Sequence, residues 1–143
     1  MTTSPPLSAD QQRTRNTETL RSYFELLSAR DIDAWIALWA DDCTVSMPFS
    51  TGGLPSTLNG RAELHSFYAE QAANYVRLDY PGTELHPLHD PSGVLARWYP
   101  QAELADGRRY SNHNIGLFTF DAEGRIQTFT EYFNPVFFTA DGS

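Results

Sequence analysis

Helices first and antiparallel strands afterwards predict an α+β fold, in which about three N-terminal helices cover one face of a curved sheet. Apolar residues recur at helical spacing up to Tyr75 and alternate with period two beyond it. Asp106-Gly107 and Glu123-Gly124 supply hairpin turn signals between the later runs. A sheet curved over helices can hold one central pocket on its concave face.

Each element follows from a local pattern. Residues 1–8 are polar, carry Pro5-Pro6 and are expected to form a tail. Ser8 and Gln11 form a potential capping box, so the first helix should begin near Ala9 and end near Arg30, with Leu20, Phe24 and Leu27 on its apolar side. Asp31 can cap a second, shorter helix whose face carries Ile32, Trp35, Ile36 and Trp39. Cys43 to Met47 reads as a strand, and Ser50 to Leu58, with Gly52, Gly53 and Pro55, as a loop. A third helix starts at Gly60 and presents Leu64, Phe67 and Tyr68. Strands are expected over 76–86, 94–104, 109–120 and 125–133. One domain should span 9–138, with a second tail at 139–143.

The chain has 143 residues, enough for a single domain with a real core. Ten arginines, no lysine and eighteen acidic residues give a net charge of −8, which argues against a nucleic-acid-binding basic face. Without lysine there is no Schiff-base or phosphate-loop lysine. Cys43 is the one cysteine, so an intrachain disulfide and a cysteine-rich zinc site are excluded, and it is expected as a small core residue. No apolar run suggests a membrane span and no signal peptide is evident at the start, so a cytoplasmic protein is expected.

The last strand carries the clearest chemical signal. Alternation puts Phe129, Glu131 and Phe133 on one face and Thr128, Thr130 and Tyr132 on the other. If the phenylalanine face lines the pocket, Glu131 is desolvated, its pKa rises, and it can move protons near neutral pH. Spacing alone leaves a solvated or purely structural glutamate open. The preceding strand places Asn112, Asn114, Gly116 and Phe118 on one face, and His113, Ile115 and Leu117 on the other. The asparagines can bond a ligand or satisfy a strand end. His113 reads as a packing or interface residue. His86, His89 and Asp90 are broken by prolines, so a surface loop is expected there and no metal site. Trp35 and Trp39 are core candidates within reach of a ligand.

The segment from Tyr23 to Pro48, with its helix–Asp41-Asp42–strand order, resembles the opening of ketosteroid isomerases and their SnoaL-like relatives. Gly60 to Ala69 continues the likeness. Tyr110-Ser-Asn-His113 and Glu131-Tyr-Phe-Asn-Pro135 are similar to the PhzA/PhzB proteins of phenazine biosynthesis. The resemblance covers most of residues 16–135.

It implies a cone-shaped α+β barrel of the nuclear-transport-factor-like superfamily, usually dimeric, binding a small molecule without a cofactor. The isomerase oxyanion-hole tyrosine falls on Tyr23 and its supporting tyrosine on Tyr68. The isomerase general base falls on Met47 and its protonated aspartate on Gly116, so both carboxyls are missing. The PhzA/PhzB acid–base glutamate falls on Glu131, and the helix-three histidine of those proteins falls on Phe67. The expected function is therefore a cofactor-independent isomerase, dehydratase or cyclase of secondary metabolism acting on a hydrophobic cyclic metabolite. Glu131 and Tyr23 are its expected catalytic residues. Asn112, Asn114, Tyr68, Phe67, Trp39, Met47, Tyr99, Phe118, Phe129 and Phe133 form its expected substrate-binding set. The alternative is a non-catalytic binding or assembly subunit. Epoxide opening would need further inward carboxylates or polar groups, for which Arg97 and Glu103 are candidates. A homodimer is expected through the convex sheet face, at His113, Ile115, Leu117, Thr128, Thr130 and Tyr132.

Overall fold

The first helix, α1 (Ala9–Ser28), begins at the expected capping box. Ser8 Oγ accepts from the Gln11 amide at 3.1 Å, and Gln11 Oε1 accepts from the Ser8 amide at 2.9 Å. The computed structural model describes residues 5–51 and 53–135. Residues 1–4 of the expected N-terminal tail, Gly52, and 136–143 with the expected C-terminal tail lie outside the described residues. Helix α1 buries Leu20, Tyr23, Phe24 and Leu27. Asp31 caps α2 (Ile32–Ile36) through the Ala34 amide at 3.1 Å. Helix α2 is shorter than the helical spacing implies. Trp39 opens strand β1 (Trp39–Ser46), where it pairs with Ile126, and the Ile126 amide donates to the Leu38 carbonyl at 2.9 Å. Sheet pairing thus claims the residue that periodicity assigns to the helix.

A short strand, β2 (Thr57–Asn59), lies inside the expected loop, and α3 (Gly60–Ala73) follows as read. Three of the four expected long strands are each divided in two. The first becomes β3 (Tyr75–Asp79) and β4 (Glu84–Pro87). The second becomes β5 (Gly93–Trp98) and β6 (Gln101–Leu104). The third becomes β7 (Arg109–Ser111) and β8 (Asn114–Phe120), while β9 (Ile126–Tyr132) stays whole. Pro81 and Pro100 lack the amide hydrogen that a continuing ladder needs. At the third break, the Asn112 side chain takes up backbone groups itself.

The halves separate into different sheets. One has six strands in the order β2-β1-β9-β8-β5-β4, and the other has three in the order β3-β6-β7. The expected α+β architecture, three helices against a curved unclosed sheet, is present, with one departure. Strands β1 and β9 run parallel, whereas all other pairs are antiparallel. The two predicted turns are present, with Gly107 at φ +90° and Gly124 at φ +85°. Among the described residues no helix is long and apolar enough to cross a membrane.

The core is aromatic. Phe118 and Phe129, paired across β8 and β9, stack in parallel with centroids 4.1 Å apart. Tyr23 and Trp98 pack around them, and Trp39 lies against Tyr23 and Phe129. Cys43 is buried, as expected of a small core residue. Burial is the main reason its thiol is pushed up, with Asp42 adding less. Gly116 sits where no side chain fits, because a Cβ there would lie 2.4 Å from the Phe129 ring and 2.7 Å from that of Trp98. Gly116→Ala should therefore lower stability by about 1–3 kcal/mol, read as a fall in the urea midpoint. An unchanged midpoint would mean that the two rings yield freely.

Candidate functional site

The crease between the two sheets encloses a cavity of about 110 Å³ beneath the helices. Helix α1 contributes Tyr23 and Leu27, and α3 contributes Phe67, Tyr68, Gln71 and Ala72. The strands contribute Met47, Tyr75, Trp98, Tyr110, Asn114, Glu131 and Phe133 from their inner faces or ends, and Tyr80 and Pro100 come from the bends. Ile32, Leu54 and Leu78 complete the wall.

Seven of the twelve expected site residues meet here: Tyr23, Met47, Phe67, Tyr68, Asn114, Glu131 and Phe133. The alternation in β9 holds. Phe129 and Phe133 are buried, Thr128 and Tyr132 are exposed, and Glu131 points into the cavity between the phenylalanines. Five expected residues do not line it. Phe118, Phe129 and Trp39 are fully buried in the packed core instead. Tyr99 faces outward because its neighbour Trp98 takes the inward position. Its hydroxyl donates to Glu84 at 3.3 Å, and its ring meets His113 edge-on. Asn112 is buried but occupied. Its Nδ2 donates to the Tyr110 hydroxyl at 3.0 Å and to the Asn134 carbonyl at 3.1 Å, and its Oδ1 accepts from the His113 amide at 2.8 Å. It braces the strand end rather than a ligand. Arg97 is exposed beside Glu84, and Glu103 is not part of the wall.

The other histidines lie elsewhere. His65 Nε2 is 2.8 Å from Asp33 on the surface, and His86 faces Glu84 at 3.8 Å. Among the described residues no group of three or more His, Cys, Asp or Glu side chains gathers to hold a metal.

Three tyrosines outside the expected set, Tyr75, Tyr80 and Tyr110, also line the cavity. Tyr110 shares the parity of Asn112 and Asn114, so alternation carried that signal. Tyr80 precedes the Pro81 bend and Tyr75 ends the α3 turn, and neither follows from a strand period. The inward position of Trp98 follows from the parity of Val94 and Ala96, which are fully buried.

The site's electrostatics follow from burial. The Glu131 residue keeps some surface open to the cavity, but its carboxyl is desolvated and its pKa is pushed up to about 7. The phenols of Tyr23 and Tyr68 hydrogen-bond to each other, and burial pushes both well above the ordinary tyrosine value. Burial likewise raises Tyr75, Tyr80 and Tyr110, and the charge of Glu131 adds to all five shifts. The phenols are thus neutral hydrogen-bond donors at any working pH. Oriented to satisfy both ends, the Asn114 amide accepts from Trp98 Nε1 and donates to the His113 carbonyl, each at 3.2 Å. One Asn114 N–H and one lone pair stay available to a ligand.

The SnoaL-like domain matches residues 20–129. The uncharacterized protein YesE of Bacillus subtilis (strain 168) is 21% identical over 120 residues, which is 83% of this chain and 81% of YesE. A Bacillus subtilis protein described as a candidate isomerase superposes with a TM-score of 0.83 at 20% identity, over 92% of this chain and 96% of its own. The phenazine biosynthesis-related protein PhzB2 of Pseudomonas aeruginosa gives 0.77 at 18%, over 92% and 83%. SalBIII, an epoxide hydrolase/cyclase-like enzyme in pyran ring formation in salinomycin, gives 0.73 at 17%, over 90% and 96%. At these identities the structural likenesses speak to the fold.

A carboxyl titrating near 7 in the folded chain and near 4.5 when unfolded binds more protons folded than unfolded between those values. Its contribution to stability is present below about pH 4.5 and is lost as pH rises to 7, on the order of 3 kcal/mol. Glu131→Gln should remove that loss. The variant's unfolding free energy, relative to the unsubstituted chain, should grow between these pH values and level off above. A constant difference across pH would mean that the carboxyl is solvated.

Proposed function

The chain belongs to the SnoaL-like domain family, and on that footing we propose that it is a cofactor-independent enzyme moving a proton at carbon in a hydrophobic cyclic metabolite. The reading rests on one observation: a single desolvated carboxyl faces five neutral phenols in a cavity whose remaining wall is apolar apart from the Asn114 and Gln71 amides. Glu131 is the general acid or base. Tyr23, held by Tyr68, donates to the oxygen on which negative charge develops. Asn114 orients the substrate, and Phe67, Met47 and Phe133 hold its apolar part. Structural neighbours described as a candidate isomerase, a phenazine biosynthesis-related protein and an epoxide hydrolase/cyclase-like enzyme support isomerisation or cyclisation in secondary metabolism, and dehydration would draw on the same proton transfer. Glu131 is the one carboxylate in the described wall, which favours these over epoxide opening by a positioned water.

Cyclic β,γ-unsaturated ketones in D₂O provide the test, with deuterium uptake at the α-carbon followed by NMR. The unsubstituted chain should accelerate uptake, and Glu131→Gln should lose about 10²–10⁴ of that rate. If the carboxylate is the base, kcat/KM rises with pH through about 7 and then levels off. Equal rates in the variant would sink the role of Glu131.

A binding function is the second reading. Met47 lines the cavity where the resemblance implies a carboxyl, and Trp98 and Phe129 fill the space beside Gly116. Tight binding of ring ketones with no deuterium uptake would favour it.

A homodimer through the outer sheet face belongs to the same proposal. Ile115, Leu117 and Tyr132 are exposed there, and Phe49 packs on Tyr132 at its edge. Sedimentation at micromolar concentration should give twice 16.1 kDa, and a 16.1 kDa species would refute it.

A further inference from the structure

We propose that the cavity selects uncharged, oxygen-bearing ring compounds and rejects carboxylates of the same shape; this rests on the reading of the cavity as a substrate site. The inference comes from where the cations are. The chain has ten arginines, four histidines and no lysine, and none of the fourteen side chains lines the cavity. Several arginines pair with surface carboxylates instead. Arg61 pairs with Asp41, Arg77 with Asp79, and Arg97 lies beside Glu84. Residues 1–4, 52 and 136–143, outside the described residues, contain no arginine, lysine or histidine.

A ligand carboxylate entering this space would lose its hydration and find no cation to replace it. The five phenols and the Asn114 and Gln71 amides suit carbonyl, ether and hydroxyl oxygens. Once ionised, Glu131 opposes any second negative charge directly. Tyr23, Tyr68, Tyr75, Tyr80 and Tyr110 are the titratable groups that face it, and all are held neutral.

Charge balance during the reaction points the same way. With a neutral substrate, ionised Glu131 takes the α-proton and becomes neutral as the substrate oxygen becomes negative. The C–H electron pair moves into the new enolate, and the cavity holds one negative charge before and after. A carboxylate-bearing substrate would make it two, with no counter-ion.

The test uses isosteric pairs in which a methyl group replaces one carboxylate oxygen: acetophenone against benzoate, and 2-acetylnaphthalene against 2-naphthoate. Binding is read by tryptophan fluorescence, because Trp98 lines the cavity. At about pH 8.5, where Glu131 is ionised, each ketone should bind at least about tenfold more tightly than its carboxylate. At about pH 6 the gap should narrow as Glu131 takes a proton, and Glu131→Gln should narrow it at pH 8.5 too. A carboxylate binding as tightly as its ketone overturns the proposal. So does a gap indifferent to both pH and the variant, or failure of both ketones to bind at millimolar concentration. The catalytic reading fails separately: absence of deuterium uptake, with the charge preference intact, removes the chemistry and leaves the selectivity.

Discussion

The crease in the sheet is the constraint on which the cavity depends. Strands that would otherwise run straight from one end of the domain to the other break at Pro81, Pro100 and Asn112. Their two halves enter different sheets. A break exposes backbone groups that must be satisfied. Asn112 does this at the third break. Its carboxamide joins the Tyr110 phenol, the His113 amide and the Asn134 carbonyl, which ties β7, β8 and the end of β9 together. The Asn112 backbone amide also donates to the Pro100 carbonyl at 3.2 Å, linking two of the three breaks. Tyr110, Asn114 and Glu131 hang from this joint, and Tyr23, Tyr68 and Gln71 from the helices that cover it.

Beneath the cavity the packing explains why its charge is concentrated in one residue. Gly116 lies opposite Glu131 in the β8–β9 ladder, and its missing side chain is the space that Trp98 and Phe129 occupy. A carboxyl at that position would collide with two rings. Met47 presents a thioether to the cavity. The two positions that the isomerase likeness implies to be acidic are thus apolar here, and Glu131 on the last strand is the one carboxyl among the described residues of the wall.

Strong local periods were legible in the sequence. The capping box of α1, the cap of α2 and the start of α3 depend on a few adjacent residues, and all three formed. Alternation placed Glu131 with Phe129 and Phe133 on the inner face, because a strand buried on one side fixes its register. Long-range effects were not legible. Trp39 went to the sheet because Ile126, far along the chain, pairs with it. Tyr99 faces outward because Trp98, in step with Val94 and Ala96, holds the inward parity. Tyr80 reaches the cavity at the Pro81 bend and Tyr75 where α3 hands over to β3, and no local period encodes either turn. Alternation placed Asn112 on the right face, yet its partners, Tyr110 and Asn134, decide what it does.

The buried carboxyl sets stability against reactivity. An exposed glutamate is a weak base, and a glutamate held at about 7 is a stronger one that is still half ionised at neutrality. The same desolvation that strengthens the base destabilises the folded chain once the carboxyl ionises. The domain offsets this with an unusually continuous aromatic core directly below the site, the Phe118–Phe129 stack with Tyr23 and Trp98 packed around it. The two roles share residues. Tyr23 is core on its ring face and hydrogen-bond donor at its hydroxyl, and Trp98 is core on its ring and a partner of Asn114 at its nitrogen. Rigid rings with one polar atom each can therefore fix donors around a carboxyl, and burial among those rings is what pushes the carboxyl's pKa up to about 7.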